Sequence, residues 1–148
     1  MPRIRRTRTI EARPEAVWEL IADPHHLPRW WPQVQRVEDA SAAAWTKVLT
    51  TPRGRPVRAD FTRVRAQRPR SLAWRQEVEE SPFERILSEA VTEFTLEPVG
   101  DGATRVEVAQ TQRLRGTARF GAYMVRRAAR RQLSEALDGL ADIVERRP

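Results

Sequence analysis

Five polar side chains stand where the sequence otherwise alternates apolar residues inward: Arg63, Gln76, Thr92, Gln110 and Gln112. A guanidinium in a partly dry site can hold a carboxylate, a phosphate or a developing enolate through charge-assisted hydrogen bonds. That makes Arg63 the first candidate for chemistry. Gln76 and Gln110 can orient a ligand hydroxyl or carbonyl. The competing reading makes Arg63 a rim residue paired with a surface glutamate, and pairs the two glutamines with each other across a sheet.

Other chemistries find no support. The chain has no cysteine, which removes disulfides and thiolate ligands, and no serine sits in a nucleophile-elbow context. His25 and His26 are the only histidines, and two adjacent histidines without a third ligand do not make a metal site. They read better as part of a helix stop and loop, so no metal and no cofactor is expected. The inward phases offer no His, Asp or Glu for acid–base work, and Tyr123 is the only tyrosine. The string GDG at 100–102 reads as a hairpin turn and not a phosphate loop.

These residues must be carried by the elements around them. The 148 residues suffice for one domain with a real core, and no linker, repeat or low-complexity tract divides 1–148. Residues 3–11 read as extended. Pro14 suits the first turn of a helix whose apolar side is Val17, Trp18, Leu20 and Ile21, and Asp23-Pro24 stops it. HHLPRWWP at 25–32 allows only a short helical turn. Of the adjacent Trp30 and Trp31, one is expected nearer the surface or a pocket mouth. Period-two alternation then runs through 34–39, 44–51, 57–66, 71–79, 88–98 and 103–114. Helical periodicity returns over 118–146, with Ala122, Val125, Ala129, Leu133, Ala136, Leu140 and Ile143 on one stripe. The expected class is α+β: a curved antiparallel sheet of about seven strands, two short helices and one long C-terminal helix.

The inward phases suggest a cavity as well as a core. They run Val57, Ala59, Phe61, Arg63, then Leu72, Trp74, Gln76, Val78. They continue as Ala90, Thr92, Phe94, Leu96 and end with Val106, Val108, Gln110, Gln112. Each strand places a polar group inward, and such groups need partners, water or a ligand. Ala118, Ala122, Ala129 and Ala136 put small residues on the helix face opposite, which leaves space. Trp31, Phe61, Trp74, Phe83 and Phe94 are candidate apolar walls, with Thr92, Val108, Ala122, Val125 and Ala129 beside them. In the alternative, the alanines let the helix pack closely and the aromatics are plain core.

Net charge is +7, but of the 27 basic residues only Lys47 is lysine, and the arginines are interleaved with glutamate along the whole chain. A generally cationic surface is expected rather than a nucleic-acid site. Arg126, Arg127, Arg130 and Arg131 form the densest patch, either a solvated face or a docking site for an acidic partner at Arg127 and Arg131. No apolar run reaches membrane-spanning length and the first residues lack a signal-peptide core, so a cytoplasmic location is expected.

Three stretches, IEARPEAVWELIADPHHLPRWWPQV at 10–34, TEFTLEPVGDGATRVEV at 92–108 and the amphipathic C-terminal helix, resemble the START-like (SRPBCC) superfamily in its polyketide cyclase/dehydrase branch. The resemblance covers essentially the whole chain. It implies a helix-grip fold, in which the sheet closes over a deep pocket beneath the long helix. Against tetracenomycin-type aromatase/cyclases, Arg63 falls at the strand arginine that polarises polyketide carbonyls, and Gln110 at a pocket glutamine. Val34 and Ala136 stand where those cyclases carry a tyrosine and an asparagine, so two of the four polar positions are apolar here. The expected function is binding of a small hydrophobic ligand of polyketide, lipid or terpenoid type. An aromatase/cyclase with catalytic Arg63 and Gln110 is the alternative, and an interaction module using the arginine-rich helix is a second one.

Overall fold

A computed structural model describes residues 3–50, 54–78, 87–116 and 121–145. Strand β1 (Arg3–Ile10) leads into helix α1 (Pro14–Ala22), a 3-10 turn (Pro24–His26) and helix α2 (Leu27–Trp30). Six strands follow: β2 (Val34–Glu38), β3 (Ala44–Thr50), β4 (Pro56–Gln67), β5 (Ser71–Glu77), β6 (Leu87–Val99) and β7 (Ala103–Leu114). Helix α3 (Ala122–Glu145) closes the chain; the expected helix start at Ala118 and the candidate wall Phe83 lie outside the described residues.

The strands form one antiparallel sheet in the order β1-β7-β6-β5-β4-β3-β2. Consecutive strands from β2 to β7 pair as a meander, and β1 joins the free edge of β7 from Arg3 opposite Thr111 to Ile10 opposite Thr104. Period-two alternation makes one face apolar, and that face must be covered. α3 covers it with Ala129, Leu133, Ala136, Leu137, Leu140, Ala141 and Val144 buried. At its outer side α3 is held to β1 by Arg8 with Asp138 and by Arg6 Nε donating to Ser134 Oγ at 3.1 Å.

Two expectations about the core are corrected. Trp30 and Trp31 are both buried, at 3% and 5% exposure. The backbone explains it: Trp30 ends α2, while Trp31 is already extended at φ −83°, ψ 130°, so successive rings are not forced onto opposite faces of one regular element. Their rings meet edge to face, 5.6 Å apart. The buried stripe of α3 is also rotated from the expected one. Leu137, Ala141 and Val144 are buried, whereas Ala122, Val125 and Ile143 are only half-buried. The first turns of α3 therefore cover the sheet less closely than the later ones.

Gly139 fixes how α2 and α3 meet. A Cβ at this position would stand 2.5 Å from the Trp30 carbonyl oxygen. The glycine lets the end of α2 lie against α3, and that contact sets where Trp31 leaves the helix.

Candidate functional site: an aromatic cavity around Lys47

Between the concave face of the sheet and α3 lies a cavity of about 190 Å³. Trp31 comes from the end of α2, Lys47 and Leu49 from β3, Phe61 from β4, and Trp74 and Gln76 from β5. Leu87, Ala90 and Thr92 of β6, Gln110 and Gln112 of β7 and Gln132 of α3 complete the lining.

Register explains why these residues converge. Phe61 stands opposite Gln76 and Trp74 opposite Thr92, which in turn is opposite Gln110. Directly opposed residues of an antiparallel pair point to the same face, so the four strands present two neighbouring rows on it, one through Phe61 and Gln76 and one through Trp74, Thr92 and Gln110. The polar part is connected: Gln112 donates to the Gln110 amide oxygen at 3.1 Å, and Gln110 donates to Thr92 Oγ1 at 3.1 Å. Gln112 and Gln132 also line an outer recess of about 340 Å³, together with Pro32, Gln33, Val125, Ala128, Ala129, Arg131 and Glu135. These two glutamines therefore stand between the cavity and the more open recess.

Lys47 is the group that the sequence analysis passed over. It is 2% exposed. Its Nζ lies 4.3 Å from the Trp31 ring centroid, 4.2 Å from that of Phe61 and 5.2 Å from that of Trp74. No carboxylate lines the cavity among the described residues, and across the sheet Lys47 faces Val37 and Ala59. Burial disfavours the ammonium and lowers its pKa to about 7. The rings offset part of that cost by presenting their negative faces to the cation. A signal for this residue was present: Trp45, Lys47 and Leu49 share one alternation phase, and an arginine-rich chain uses its only lysine there.

Among the residues expected at the site, Trp31, Phe61, Trp74, Gln76, Thr92 and Gln110 line the cavity. Phe94 and Val108 are fully buried at opposed positions; Phe94 touches Trp30, Trp31 and Trp74 and belongs to the packed layer behind the cavity wall. Val125 and Ala129 line the outer recess, and Ala122 is half-buried at the start of α3. Arg63 is half-buried and does not line the cavity. It stands opposite Trp74 on the concave face, but two residues beyond Phe61 along β4 means about 7 Å further along the strand. A bulge between Arg63 and Arg65 then ends that phase.

Arg126, Arg127, Arg130 and Arg131 are all exposed on α3, and Arg131 lies 3.9 Å from Glu135. His25 and His26 sit in the 3-10 turn, where Asp23 accepts from the His25 backbone N–H at 3.0 Å. No cluster of His, Cys, Asp or Glu able to hold a metal occurs among the described residues. No helix among them is long and apolar enough to cross a membrane.

A curved seven-stranded sheet gripping one long helix over a cavity defines a START-like domain. Solved structures share this fold. An aromatase/cyclase, Zhui, from Streptomyces sp. R1128 superposes with a TM-score of 0.81 at 19% identity, over 99% of this chain and 94% of that one. A START superfamily protein from Mycobacterium smegmatis gives 0.79 at 14% identity, over 97% of each chain. The di-domain ARO/CYC BexL from the BE-7585A biosynthetic pathway gives 0.80 at 22% identity, over 98% of this chain but 47% of that one. The chain belongs to the family described as polyketide cyclase/dehydrase and lipid transport, whose model matches residues 1–145. Among curated proteins, none matches the sequence.

Proposed function

We propose that this protein binds a small, largely apolar, ring-bearing molecule in the cavity around Lys47. The observation that carries this reading is the space of about 190 Å³ walled by Trp31, Phe61 and Trp74 with a few amides. An apolar cavity of about 150 Å³ accommodates benzene, whereas drug-sized ligands occupy about 300–1,000 Å³. The inner space therefore suits one or two rings. A longer polyketide-, lipid- or terpenoid-like molecule would have to extend past Gln112 and Gln132 into the outer recess. Family membership supports hydrophobic ligand binding in general. Native mass spectrometry of protein purified from its own host, with toluene and naphthalene titrations followed by tryptophan fluorescence, tests the reading. Saturable binding is expected; no retained compound and no fluorescence change with either probe would end it.

A second reading, an aromatase/cyclase-type enzyme, is favoured by one observation. Lys47 is a cavity-facing group that exchanges its proton near neutral pH, as general acid–base work requires. In this reading Lys47 carries the proton, while Gln110 orients a carbonyl. Unchanged turnover of a poly-β-ketone by Lys47→Met would rule it out.

A further inference from the structure

We propose that Lys47 is a nucleophile that captures an aldehyde or ketone ligand in the cavity as a reversible imine. This rests on the cavity being a ligand site, and it names the class of ligand.

The choice of residue is the first argument. Of 27 basic residues one is lysine, and it is the basic side chain that lines the cavity among the described residues. An anchor for an anionic ligand would be better made from arginine, which is always charged and binds carboxylates through two bonds. What lysine alone supplies is an amine that can lose its proton and attack carbon.

The surroundings favour that form. Trp31 from α2, Phe61 from β4, Trp74 and Gln76 from β5, Ala90 and Thr92 from β6, Gln110 and Gln112 from β7 and Gln132 from α3 carry no titratable group. Nothing in the described lining holds the ammonium by opposite charge, and burial brings its pKa to about 7. A substantial share of free amine is then present at neutral pH. The aromatic faces 4.2–5.2 Å from Nζ stabilise the positive charge that develops on nitrogen during attack and in the protonated imine. The glutamine amides supply donors for the carbonyl oxygen.

The step balances without a redox partner. The nitrogen lone pair adds to the carbonyl carbon, forming C–N as the C=O π bond breaks. The proton leaving nitrogen ends on oxygen, which gives a carbinolamine. The second proton on nitrogen then passes to that oxygen, which leaves as water as C–O breaks, and the freed N–H electron pair completes C=N. Water entering past Gln112 and Gln132 reverses both steps.

The uniqueness of Lys47 makes the test direct, because the α-amino group is the only other primary amine. The full chain is incubated with benzaldehyde and sodium cyanoborohydride, followed by intact mass and peptide mapping, with toluene binding measured in parallel. One benzyl adduct on Lys47 is expected, forming about tenfold or more faster at neutral pH than on an exposed lysine peptide, whose amine is almost wholly protonated there. Its rate should climb through pH 7, where the amine titrates, and fall when excess toluene competes. Lys47→Arg should abolish the adduct, and Lys47→Met replaces it if the arginine variant does not fold. Toluene binding without a Lys47 adduct, or an adduct no faster than on the peptide, overturns the imine and leaves the ligand site standing. If neither compound enters, the ligand-site reading fails and takes the imine with it.

Discussion

The ammonium nitrogen of Lys47 lies 4.2 Å from the ring centroid of Phe61, its diagonal neighbour on the adjacent strand. A cation held this way has aromatic faces for company and no carboxylate among the described cavity residues. The arrangement is costly to the fold and useful to a ligand.

The cost should be measurable as a pH dependence. The Lys47 pKa falls from 10.5 to about 7 on folding, so between those values the unfolded chain holds a proton that the folded one releases. Stability from this group is therefore greatest above pH 10.5, declines as pH falls toward 7, and is level below that. Lys47→Met removes the dependence. At pH 6 the variant should be more stable by up to about 5 kcal/mol, less whatever the cation–π contacts return. Urea midpoints at pH 6 and pH 10 test this; the same gap at both values would contradict it.

Gly139→Ala should destabilise, although alanine is intrinsically the better helix former by about 1 kcal/mol. The new methyl would stand 2.5 Å from the Trp30 carbonyl oxygen and 3.2 Å from two further backbone atoms. Backbone cannot rotate away as a side chain can, so α2 must move off α3. A loss of about 1–3 kcal/mol is expected from chemical denaturation, with altered tryptophan fluorescence as Trp30 and Trp31 shift.

Ala90→Phe should fill the cavity from β6. Ala90 is buried against it, and a phenyl group there would displace any ligand ring. Affinity for toluene should drop about tenfold or more, with the fold retained because the added volume enters existing space. Undiminished binding would place the ligand elsewhere.

Arg63→Ala separates the sequence-based site from the structural one. Because Arg63 does not line the cavity, affinity for a small apolar probe should change by less than about 0.5 kcal/mol, as for substitutions remote from a site. A loss above about 1.4 kcal/mol, tenfold in affinity, would return Arg63 to the binding site.

Alternation and helical period determine much of this protein locally. Phe61, Trp74, Gln76, Thr92 and Gln110 read as inward because a strand's facing is set by its own period of two, and all five line the cavity. The GDG turn reads as a hairpin because Gly100 supplies a positive φ of 61° where β6 turns into β7. Position along the sheet is another matter. Arg63 and Phe61 share a phase, and register even sets Arg63 opposite Trp74; only the folded sheet, in which β4 bulges directly after Arg63, shows that one reaches the cavity and the other does not. Trp30 and Trp31 are both buried because the chain changes from helix to extended between them, a change pinned by the contact with Gly139 over a hundred residues away. Lys47 took its meaning last. Its alternation phase is visible in the sequence, but its surroundings are not, since the lack of an acid beside it among the described residues depends on what four other strands and two helices bring to the same place.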